Sequence, residues 1–420
     1  MNHRELLLDL FRTAVAAAQP SQRLPHALPP RPRGRTVVVG AGKASAEMAA
    51  QLEAAWDGPL EGVVVTRYGH AVPCRQIRII EASHPFPDDN SVAAAKAIRE
   101  AVSSLTKDDL VISLVSGGGS ALLVDPVDSI SLADKQQLTR SLFHAGATIH
   151  ELNRVRQALS NVKGGKLALA AWPAKVHTLV ISDVPGDDPS LVASGPTVPP
   201  VAGESAIAIV DRLGVRVPAY VRSAMQHAET ASPEQFAHCR TELIATPMQS
   251  LQAAAARARE LGWNTIILSD SIEGEAREVA EMHAGIVQSV TRYGEPLRTP
   301  ALILSGGETK VTFGNVTPGR GGRNVEFLMA LGLALRGAQD VHAIACDTDG
   351  IDGSEDNAGA VWMPDTPSRA ALLGLDLRRY LAHHDTYSAF SQLGDLVVTG
   401  PTQTNVNDFR AILVGRNARC

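Results

Sequence analysis

Short apolar runs alternate with stretches of helical periodicity along most of the 420-residue chain. Leu7, Leu10, Phe11 and Val15 recur at helical spacing and predict a first helix, which a proline-rich segment at 25–32 separates from the first strand. Strands are then expected at 36–39, 63–66, 77–81, 110–115 and 176–182, with helices at 44–56, 91–104, 131–145 and 155–171. This alternation predicts an α/β protein with a doubly wound sheet.

A second alternation follows a region rich in prolines at 196–200. Its strands are predicted at 242–245, 265–269, 301–305, 341–346, 396–399 and 411–414, and its helices at 248–261, 275–289 and 324–335. We place the boundary between the two series near Ser232-Pro233. The predicted domains are therefore an N-terminal domain at 1–235 and a smaller C-terminal α/β domain at 236–420.

Composition narrows the class of partner to small molecules. The net charge of −5, from 39 basic and 44 acidic residues without a polybasic block, argues against nucleic acid and membrane surfaces. Asp9 and Arg12 interrupt the apolar residues of the first helix, so no signal peptide is predicted, and no stretch approaches a membrane span. The four cysteines lie far apart, which predicts a reduced cytoplasmic protein without a thiolate metal site. They are Cys74, Cys239, Cys346 and Cys420.

Four glycine-rich turns are the strongest functional signals. In the segment 319–326, Arg320 and Arg323 stand among three glycines ahead of a helical pattern, an arrangement typical of a phosphate or carboxylate site. The alternative for this segment is a flexible basic surface loop. Each of the other turns follows a strand-like run, where open α/β sheets bind phosphorylated ligands. The candidates for cofactor binding are Gly40, Gly42, Ser116, Gly117, Gly118, Gly119, Ser120, Gly306, Gly307, Gly321 and Gly322.

The turn at 40–45 fits a functional lysine at the start of a helix better than it fits a dinucleotide-binding site. The third position of the dinucleotide fingerprint is Ser45, and the next strand ends at Thr66-Arg67, where NAD binding favours an acid. The spacing of a Walker A loop is also missing. Lys43 remains well placed to reach a transferring phosphoryl group, and the alternative is an exposed lysine without a role.

Two carboxylate clusters follow predicted strands. They lie at 183–188, which includes Asp187, and at 347–352, which includes Asp347 and Asp349. Carboxylates at strand ends can hold Mg²⁺ or accept a hydroxyl proton. The alternative for each cluster is an Asp/Gly turn whose side chains cap the backbone. Acids and bases gathered around glycine turns together favour phosphoryl transfer, in which Lys, Arg and Mg²⁺ position and neutralise the transferred group.

Many motifs of one known family occur in order along nearly the whole chain. They are Gly40 to Ser45, Ser83-His84-Pro85, Ser116 to Ser120, Asn153-Arg154-Val155-Arg156, Lys163 to Ala168, Ser182 to Ser190, Ala193 to Thr197, Ser305 to Glu308, Gly319 to Glu326 and Asp347 to Gly353. With these motifs the chain resembles the class II glycerate kinases, also called the MOFRL family. The resemblance implies a Rossmann-like N-terminal domain, a smaller C-terminal MOFRL domain and an active site in the cleft between them.

The resemblance also implies ATP- and Mg²⁺-dependent phosphorylation of D-glycerate at the 2-hydroxyl. It implies catalytic roles for Lys43 and Arg323, with Asp349 in support. Asn153 and Arg156 are the candidates for gripping the glycerate carboxylate. Asp187 and Asp347 are the candidates for holding the metal, and the choice among the aspartates stays open. The chain departs from the family pattern at Leu152, Gln157-Ala158 and Val325, which bears on substrate preference.

Two other functions stay open at this stage. One is an NAD(P)H-dependent hydroxypyruvate reductase, a name often given to such relatives, which only the incomplete fingerprint at 40–45 supports. The other is a non-catalytic sensor of sugar acids, which would need the glycine turns but no metal-binding carboxylates. A homodimer is one candidate assembly, and the sequence leaves the oligomeric state open.

Overall fold

The computed structural model describes residues 2–228, 231–314 and 316–415, which fold as two compact units. The N-terminal unit holds residues 20–183 and 187–244, and the C-terminal unit holds 2–19, 184–186 and the described residues from 245 onward. Helix α1, His3–Ala17, therefore belongs to the C-terminal unit although it opens the chain. The predicted α/β class with two domains is confirmed, whereas the domain limits 1–235 and 236–420 stay a prediction.

Six strands form the sheet of the N-terminal unit. They are β1 Thr36–Ala41, β2 Glu61–Arg67, β3 Ile77–Ala82, β4 Leu110–Val115, β5 Lys175–Ile181 and β6 Cys239–Ala245. Their order is β3-β2-β1-β4-β5-β6, and β1 to β5 run parallel. This is the strand order of a Rossmann-like doubly wound sheet, as predicted. The sequence pattern places the strand at 242–245 in the second domain, but β6 joins β5 in the first sheet, because a short run carries no signal of its partner.

Nine α-helices are described in the N-terminal unit. They are α2 Pro20–Arg23, α3 Ser45–Ala55, α4 Asp89–Ala101, α5 Gly119–Leu122, α6 Leu132–His144, α7 Ile149–Ala158, α8 Lys166–Ala170, α9 Ala206–Arg212 and α10 Ala219–Gln226. Capping boxes start α4, α6 and α7. The single helix predicted at 155–171 is wrong, because Gly164 and Gly165 adopt φ of +62° and +81° and separate α7 from α8.

The C-terminal unit contains a mixed sheet. Its strands are β7 Asn264–Ile267, β8 Ile272–Glu275, β9 Ala301–Lys310, β10 Val341–Asp347, β11 Gly359–Trp362, β12 Leu396–Val397 and β13 Asp408–Val414. Its helices besides α1 are α11 Pro247–Glu260, α12 Ala276–Tyr293, α13 Arg323–Ala334, α14 Thr366–Leu372, α15 Leu377–Ala382 and α16 Thr386–Leu393. The order is β12-β11-β10-β13-β9-β7, with β8 also paired to β9. Strand β13 runs antiparallel to both β10 and β9, between which it lies.

Helices cover both faces of this second sheet, because its central strands are apolar on both sides. Ile303 and Ile412 belong to the core cluster that includes Phe327 of α13. Leu302 and Leu413, one residue away on the same strands, belong to the cluster formed with α1 and α11. Successive strand residues point to opposite faces, so two separate cores result. Leu6, Leu7, Leu10, Phe11 and Ala14 form the buried stripe of α1 in the second of these cores.

Two further findings bear on the class of protein. Within the described ranges, no helix is long and apolar enough to cross a membrane. The three cysteines that the structure describes, Cys74, Cys239 and Cys346, are free thiols. Cys420 lies outside the described residues.

Candidate active site

In the N-terminal unit, a cluster of candidate residues lies where the strand order of the first sheet reverses. Strands β1 and β4 are neighbours there, and the chain leaves their carboxyl ends in opposite directions along the sheet. Open α/β sheets bind their ligands at such a switch point. The turn after β1 carries Lys43, and the turn after β4 is the predicted Ser116–Ser120 segment. The structure thus brings these two groups of predicted site residues together.

Hydrogen bonds join the two turns directly. The N–H of Lys43 donates to the carbonyl of Gly117 at 2.9 Å, and the N–H of Ala44 donates to Ser116 Oγ at 3.1 Å. Gly42 has φ of +148°, and a Cβ there would lie 2.1 Å from Ser116 Oγ. Since only glycine fits, the backbone of one turn rests against the other and fixes the position of Lys43.

Gly118 lies at the centre of this arrangement. It adopts φ of +80°, and a Cβ there would lie 3.2 Å from Lys43 Cγ and 3.1 Å from His84 Cδ2. The Lys43 side chain and the His84 ring therefore approach the same point of the turn. Lys43 is half-buried and precedes α3 by two residues, so it is not the exposed lysine of the alternative interpretation.

A network of side chains continues from this turn to Asn153. Ser120 Oγ lies 2.9 Å from Ser194 Oγ, and the Ser194 hydroxyl donates to Asn153 Oδ1 at 2.8 Å. Ser194 is fully buried and adopts φ of +61°, next to Ala193 at +52°. Two consecutive non-glycine residues in the left-handed region are unusual, and such strain collects at functional sites. Arg156 Nη1 also reaches Asn153 Oδ1, at 3.5 Å, so both predicted substrate residues meet in this network.

Buried cations surround the same network. Lys163 is 1% exposed, and its ammonium donates to the carbonyl of Ser120 at 2.9 Å. Lys135 donates to the carbonyl of Leu159 at 2.9 Å. Burial lowers the pKa of Lys135 to about 7 and holds the pKa of Lys163 well below its usual range, and Arg156 adds repulsion to both. Carbonyl oxygens accept from both amino groups, and an anion bound near the turn would favour their charged forms.

In the C-terminal unit, a cluster of candidate residues is centred on Arg323, the first residue of α13. Its guanidinium donates from Nε to Asp408 at 2.7 Å, from Nη1 to Glu308 at 2.7 Å and from Nη2 to Asp347 at 2.8 Å. The strand register explains this gathering, because Asp408 pairs with Asp347 on one side and with Gly307, the residue before Glu308, on the other. The interpretation of 319–326 as a flexible basic loop is therefore wrong at Arg323.

The charges of this cluster are mutually dependent. Burial disfavours the charged form of Arg323, but Asp408, Asp347 and Glu308 outweigh burial and raise its pKa further above the usual range. For Asp408, burial is likewise outweighed by Arg323 and by the fully buried Arg410, and its pKa is lowered. Three of the five N–H donors of Arg323 are used by these carboxylates, which leaves two for another acceptor.

Asp352 holds the start of α13. Its Oδ1 accepts the N–H of Asn324 at 3.0 Å and its Oδ2 accepts the N–H of Val325 at 2.9 Å. A Cβ on Gly322 would lie 2.3 Å from the Asp352 carboxyl carbon, so glycine is required before the helix. Burial raises the pKa of Asp352 to about 6, even though both backbone N–H groups favour its charged form. Asp352 thus fixes the start of α13 and with it the position of Arg323.

The predicted metal ligands belong to different units of the structure. Asp347 is 3% exposed, accepts from Arg323 through Oδ2 and accepts the N–H of Asp349 through Oδ1. Asp349 is also buried, and its Oδ1 accepts the N–H of Ile351. Asp187 belongs to the N-terminal unit. Within residues 2–228, 231–314 and 316–415, no group of three or more His, Cys, Asp or Glu side chains could hold a metal ion.

Both halves of the chain match known families. Residues 6–226 match a domain of unknown function (DUF4147), and residues 301–408 match the MOFRL family. The chain is 37% identical to the D-glycerate 2-kinase of Thermotoga maritima, over 96% of this chain and 97% of that protein. The chain belongs to the MOFRL family of class II glycerate kinases. The resemblance predicted from the motifs is thereby confirmed.

Two other matches cover almost the full chain. A crystal structure described as glycerate kinase from Thermotoga maritima has a TM-score of 0.86 at 34% identity, and the match covers 98% of this chain and 99% of that one. A protein of Agrobacterium vitis that bears the name "Putative hydroxypyruvate reductase" is 54% identical over 98% of this chain and 94% of its own length. This MOFRL-family chain therefore has relatives under both names.

The remaining predicted glycines of this MOFRL-family chain lie where backbones approach closely. A Cβ on Gly40 would meet the carbonyl of Leu114 at 2.4 Å, and a Cβ on Gly307 would meet that of Ile272 at 2.2 Å. The carbonyl of Gly306 accepts from Arg410, and a Cβ on Gly321 would lie 2.7 Å from Thr386 Oγ1. Strand and loop packing explains these positions, and their part in nucleotide binding stays a prediction.

Five residues of the site were not among the predicted site residues of this MOFRL-family chain. They are His84, Ser194, Glu308, Asp352 and Asp408. His84, Ser194 and Glu308 stand in the family motifs, and Asp352 stands in the carboxylate cluster, so a local signal existed for four of them. Asp408 begins a strand far along the chain, and only the antiparallel pairing of β13 brings it to the site.

Proposed function

We propose that the chain is an ATP-dependent glycerate 2-kinase that transfers the γ-phosphoryl group of ATP to the 2-hydroxyl of D-glycerate. The observation that carries this proposal is the position of Lys43 at the switch point of the first sheet, where its backbone is bonded to the Ser116–Ser120 turn. A lysine in this position supplies a mobile positive charge for a phosphoryl group. The 37% identity to a D-glycerate 2-kinase supports the same substrate and position.

In this proposal, different residues of the N-terminal unit bind the phosphate groups and the glycerate carboxylate. The backbone N–H groups and hydroxyls of Ser116–Ser120 bind phosphate oxygens, and the Lys43 ammonium neutralises the charge that develops during transfer. Asn153 and Arg156 bind the glycerate carboxylate. Lys163, which donates to the carbonyl of Ser120, holds this turn in place. Phosphoryl transfer depends mainly on such positioning and charge neutralisation.

Arg323 and its carboxylates form the other part of the proposal. The two N–H groups of Arg323 that donate to no carboxylate would bind an acceptor such as a phosphate oxygen. Asp349 orients the attacking hydroxyl. The carboxylates of the site would bind Mg²⁺ only together with the nucleotide, since Mg²⁺ is usually held by one or two carboxylates and by substrate phosphates. Asp347 and Asp187 are the proposed ligands, and bound Mg²⁺ would neutralise phosphate charge.

The hydroxypyruvate reductase alternative has weaker support in the site. At position 45, where a dinucleotide fingerprint has glycine or alanine, the Ser45 hydroxyl donates to the carbonyl of Leu114 at 3.0 Å. Strand β2 ends at Arg67, so no acid stands there to bind a ribose hydroxyl. The observation that favours this alternative is the similarity to a relative that bears the name of a hydroxypyruvate reductase.

One experiment separates these functions. Purified protein is incubated with D-glycerate and MgATP, and the products are identified by ³¹P and ¹³C NMR. Formation of ADP and 2-phosphoglycerate is expected. A parallel incubation with hydroxypyruvate and NADH or NADPH should consume no reduced cofactor. Rapid NAD(P)H consumption without ADP formation would overturn the proposal, and 3-phosphoglycerate would overturn its regiochemistry.

We further propose that the enzyme works in the cytoplasm, with small molecules as its partners. The free thiols of Cys74, Cys239 and Cys346 support a reducing compartment. A homodimer stays one candidate for the assembly. Light scattering coupled to gel filtration would test it, and a mass of one 44.4 kDa chain would contradict the dimer.

A further inference from the structure

A cavity of about 640 Å³ lies in the N-terminal unit, away from the turns described above. It is lined by the proline-rich segment 26–33, by residues at the amino ends of β4 and β5, and by residues in and next to β6. We propose that this cavity is a second binding site, specific for a small organic phosphate. Its volume lies within the range of about 300–1,000 Å³ that is usual for small-molecule sites.

The cavity and the candidate active site lie at opposite ends of the same strands. Lys43 and Ser116 follow the carboxyl ends of β1 and β4, whereas Leu110 and Lys175 line the cavity at the amino ends of β4 and β5. Six residues of strand separate the two ends, which corresponds to about 20 Å at 3.3 Å per residue. A ligand in the cavity would therefore not overlap a phosphate at the turns.

The walls of the cavity are held in place by hydrogen bonds. His177 Nε2 on β5 lies 3.1 Å from the carbonyl of Ala27, which ties the proline-rich segment to the sheet. The N–H of Gly34 donates to the carbonyl of Asp108 at 2.7 Å, and the N–H of Arg35 donates to Asp109 Oδ1 at 2.6 Å. Pro29, Pro30 and Pro32 restrict the same segment further. The site is preformed, so a ligand need not order it.

The lining is positive although the chain as a whole carries −5. Its ionisable side chains, histidines aside, are Arg31, Arg33, Lys107, Lys175, Arg240, Asp108, Asp109 and Glu242. Two of the three carboxylates are already engaged: Asp109 accepts N–H groups of the adjoining loops, and Glu242 pairs with Arg240 at 3.4 Å. Among the described residues, no carboxylate pairs with Arg33, Lys107 or Lys175. These three cations are available to an anion.

Apolar lining distinguishes an organic phosphate from inorganic phosphate. Leu28, Pro29, Pro30, Leu110 and Val176 line the same cavity as the cations. An anion without an organic body would leave this surface unused, whereas a base or an acyl chain would bury it at about 25 cal/mol per Å². The combination of an apolar wall and unpaired cations therefore fits a nucleotide-like or other phosphorylated organic molecule.

Equilibrium binding to the full-length protein tests this assignment. The probes are 5′-AMP and inorganic phosphate, which carry similar charge and differ in the organic body. We expect two AMP sites in the wild type and one in the double variant Lys107→Glu/Lys175→Glu, in which two exposed cations are reversed. Lys96→Glu, an exposed charge reversal outside the cavity lining, should keep both sites. At the site lost in the double variant, AMP should bind at least about tenfold more tightly than phosphate, which corresponds to about 1.4 kcal/mol.

The controls separate this proposal from the proposed function. Lys107→Ala/Lys175→Ala repeats the test without introducing acids, and circular dichroism checks the fold of each variant. Identical AMP stoichiometry in the wild type and both double variants would overturn the second site. Equal affinity for AMP and phosphate would overturn the organic-phosphate assignment. The AMP stoichiometry is measured without turnover. It would therefore show whether the cavity binds AMP even if the protein had no kinase activity.

Discussion

The substitution Asp352→Asn tests how the start of α13 is held. The asparagine side chain has nearly the shape of the protonated acid, so it removes the charge and keeps one oxygen as an acceptor for Asn324 or Val325. The wild-type carboxylate accepts from both of these N–H groups and is fully buried. The variant therefore compares the charged cap with a neutral one at the same position.

The pKa of Asp352 sets the expected magnitude. Burial raises it from 3.8 to about 6, so the charged form costs about 3 kcal/mol of stability once both the folded and unfolded forms are ionised. The folded protein holds this proton between about pH 4 and pH 6, where the unfolded chain has released it, so stability falls as pH rises through that window. We expect the stability of Asp352→Asn relative to the wild type to rise by about 1.5 kcal/mol from pH 5 to pH 8, because the variant lacks one N–H acceptor at both pH values but has no carboxylate to ionise.

The assay is urea unfolding at both pH values, followed by hydrogen exchange in peptides of α13 so that the C-terminal unit is reported. Asp376→Asn is the matched control, because Asp376 accepts two N–H groups at the start of α15 but is exposed. The control should show no such rise. A difference in stability between Asp352→Asn and the wild type that is independent of pH would refute the argument from buried charge.

Three further outcomes follow from the site. Gly118→Ala should lower kcat by at least about tenfold because a Cβ would displace Lys43, whereas Gly146→Ala, at a similar φ with open space around it, should cost only about 1–2 kcal/mol in unfolding experiments. Arg323→Lys should lower kcat for glycerate phosphorylation on the order of 10²-fold and change KM much less; a wild-type kcat at an unchanged Tm would remove Arg323 from the proposed mechanism. Lys135→Met should lose stability relative to the wild type as pH rises from 7 to 10, measured as Tm, because burial lowers the pKa of Lys135 from 10.5 to about 7 and the folded wild type releases that proton early. A Tm difference that is constant with pH would contradict this last expectation.

Local patterns predict the strands and turns of this chain well. The run at 110–115 is apolar except for Ser113 and is flanked by polar residues, and β4 has those same limits. Helix α13 was expected at 324–335 and runs over Arg323–Ala334, because the glycines before it break any regular structure. Lys43 and the Ser116–Ser120 turn were each expected to follow a strand, and the structure shows that these two strands are parallel neighbours.

Long-range pairing accounts for what the patterns miss. Asp408 lies 85 residues from Arg323 in the chain, and nothing near it indicates that β13 inserts antiparallel between β9 and β10. Ser194 meets Asn153 only because the backbone at 193–194 enters the left-handed region, which no residue type there favours. The buried state of Lys135 and Lys163 likewise depends on tertiary packing, because lysine is usually exposed.

The place of α1 in the C-terminal unit has a consequence for synthesis on the ribosome. The apolar stripe of Leu6, Leu7, Leu10 and Phe11 is made first, but its partners on α11 and the second sheet begin about 230 residues later. At about 5–20 residues per second, the stripe stays without its native partners for roughly ten to fifty seconds. During that interval the N-terminal unit can complete its own fold. The C-terminal unit, in contrast, can fold only by packing against α1, a helix that was synthesised long before the rest of the unit.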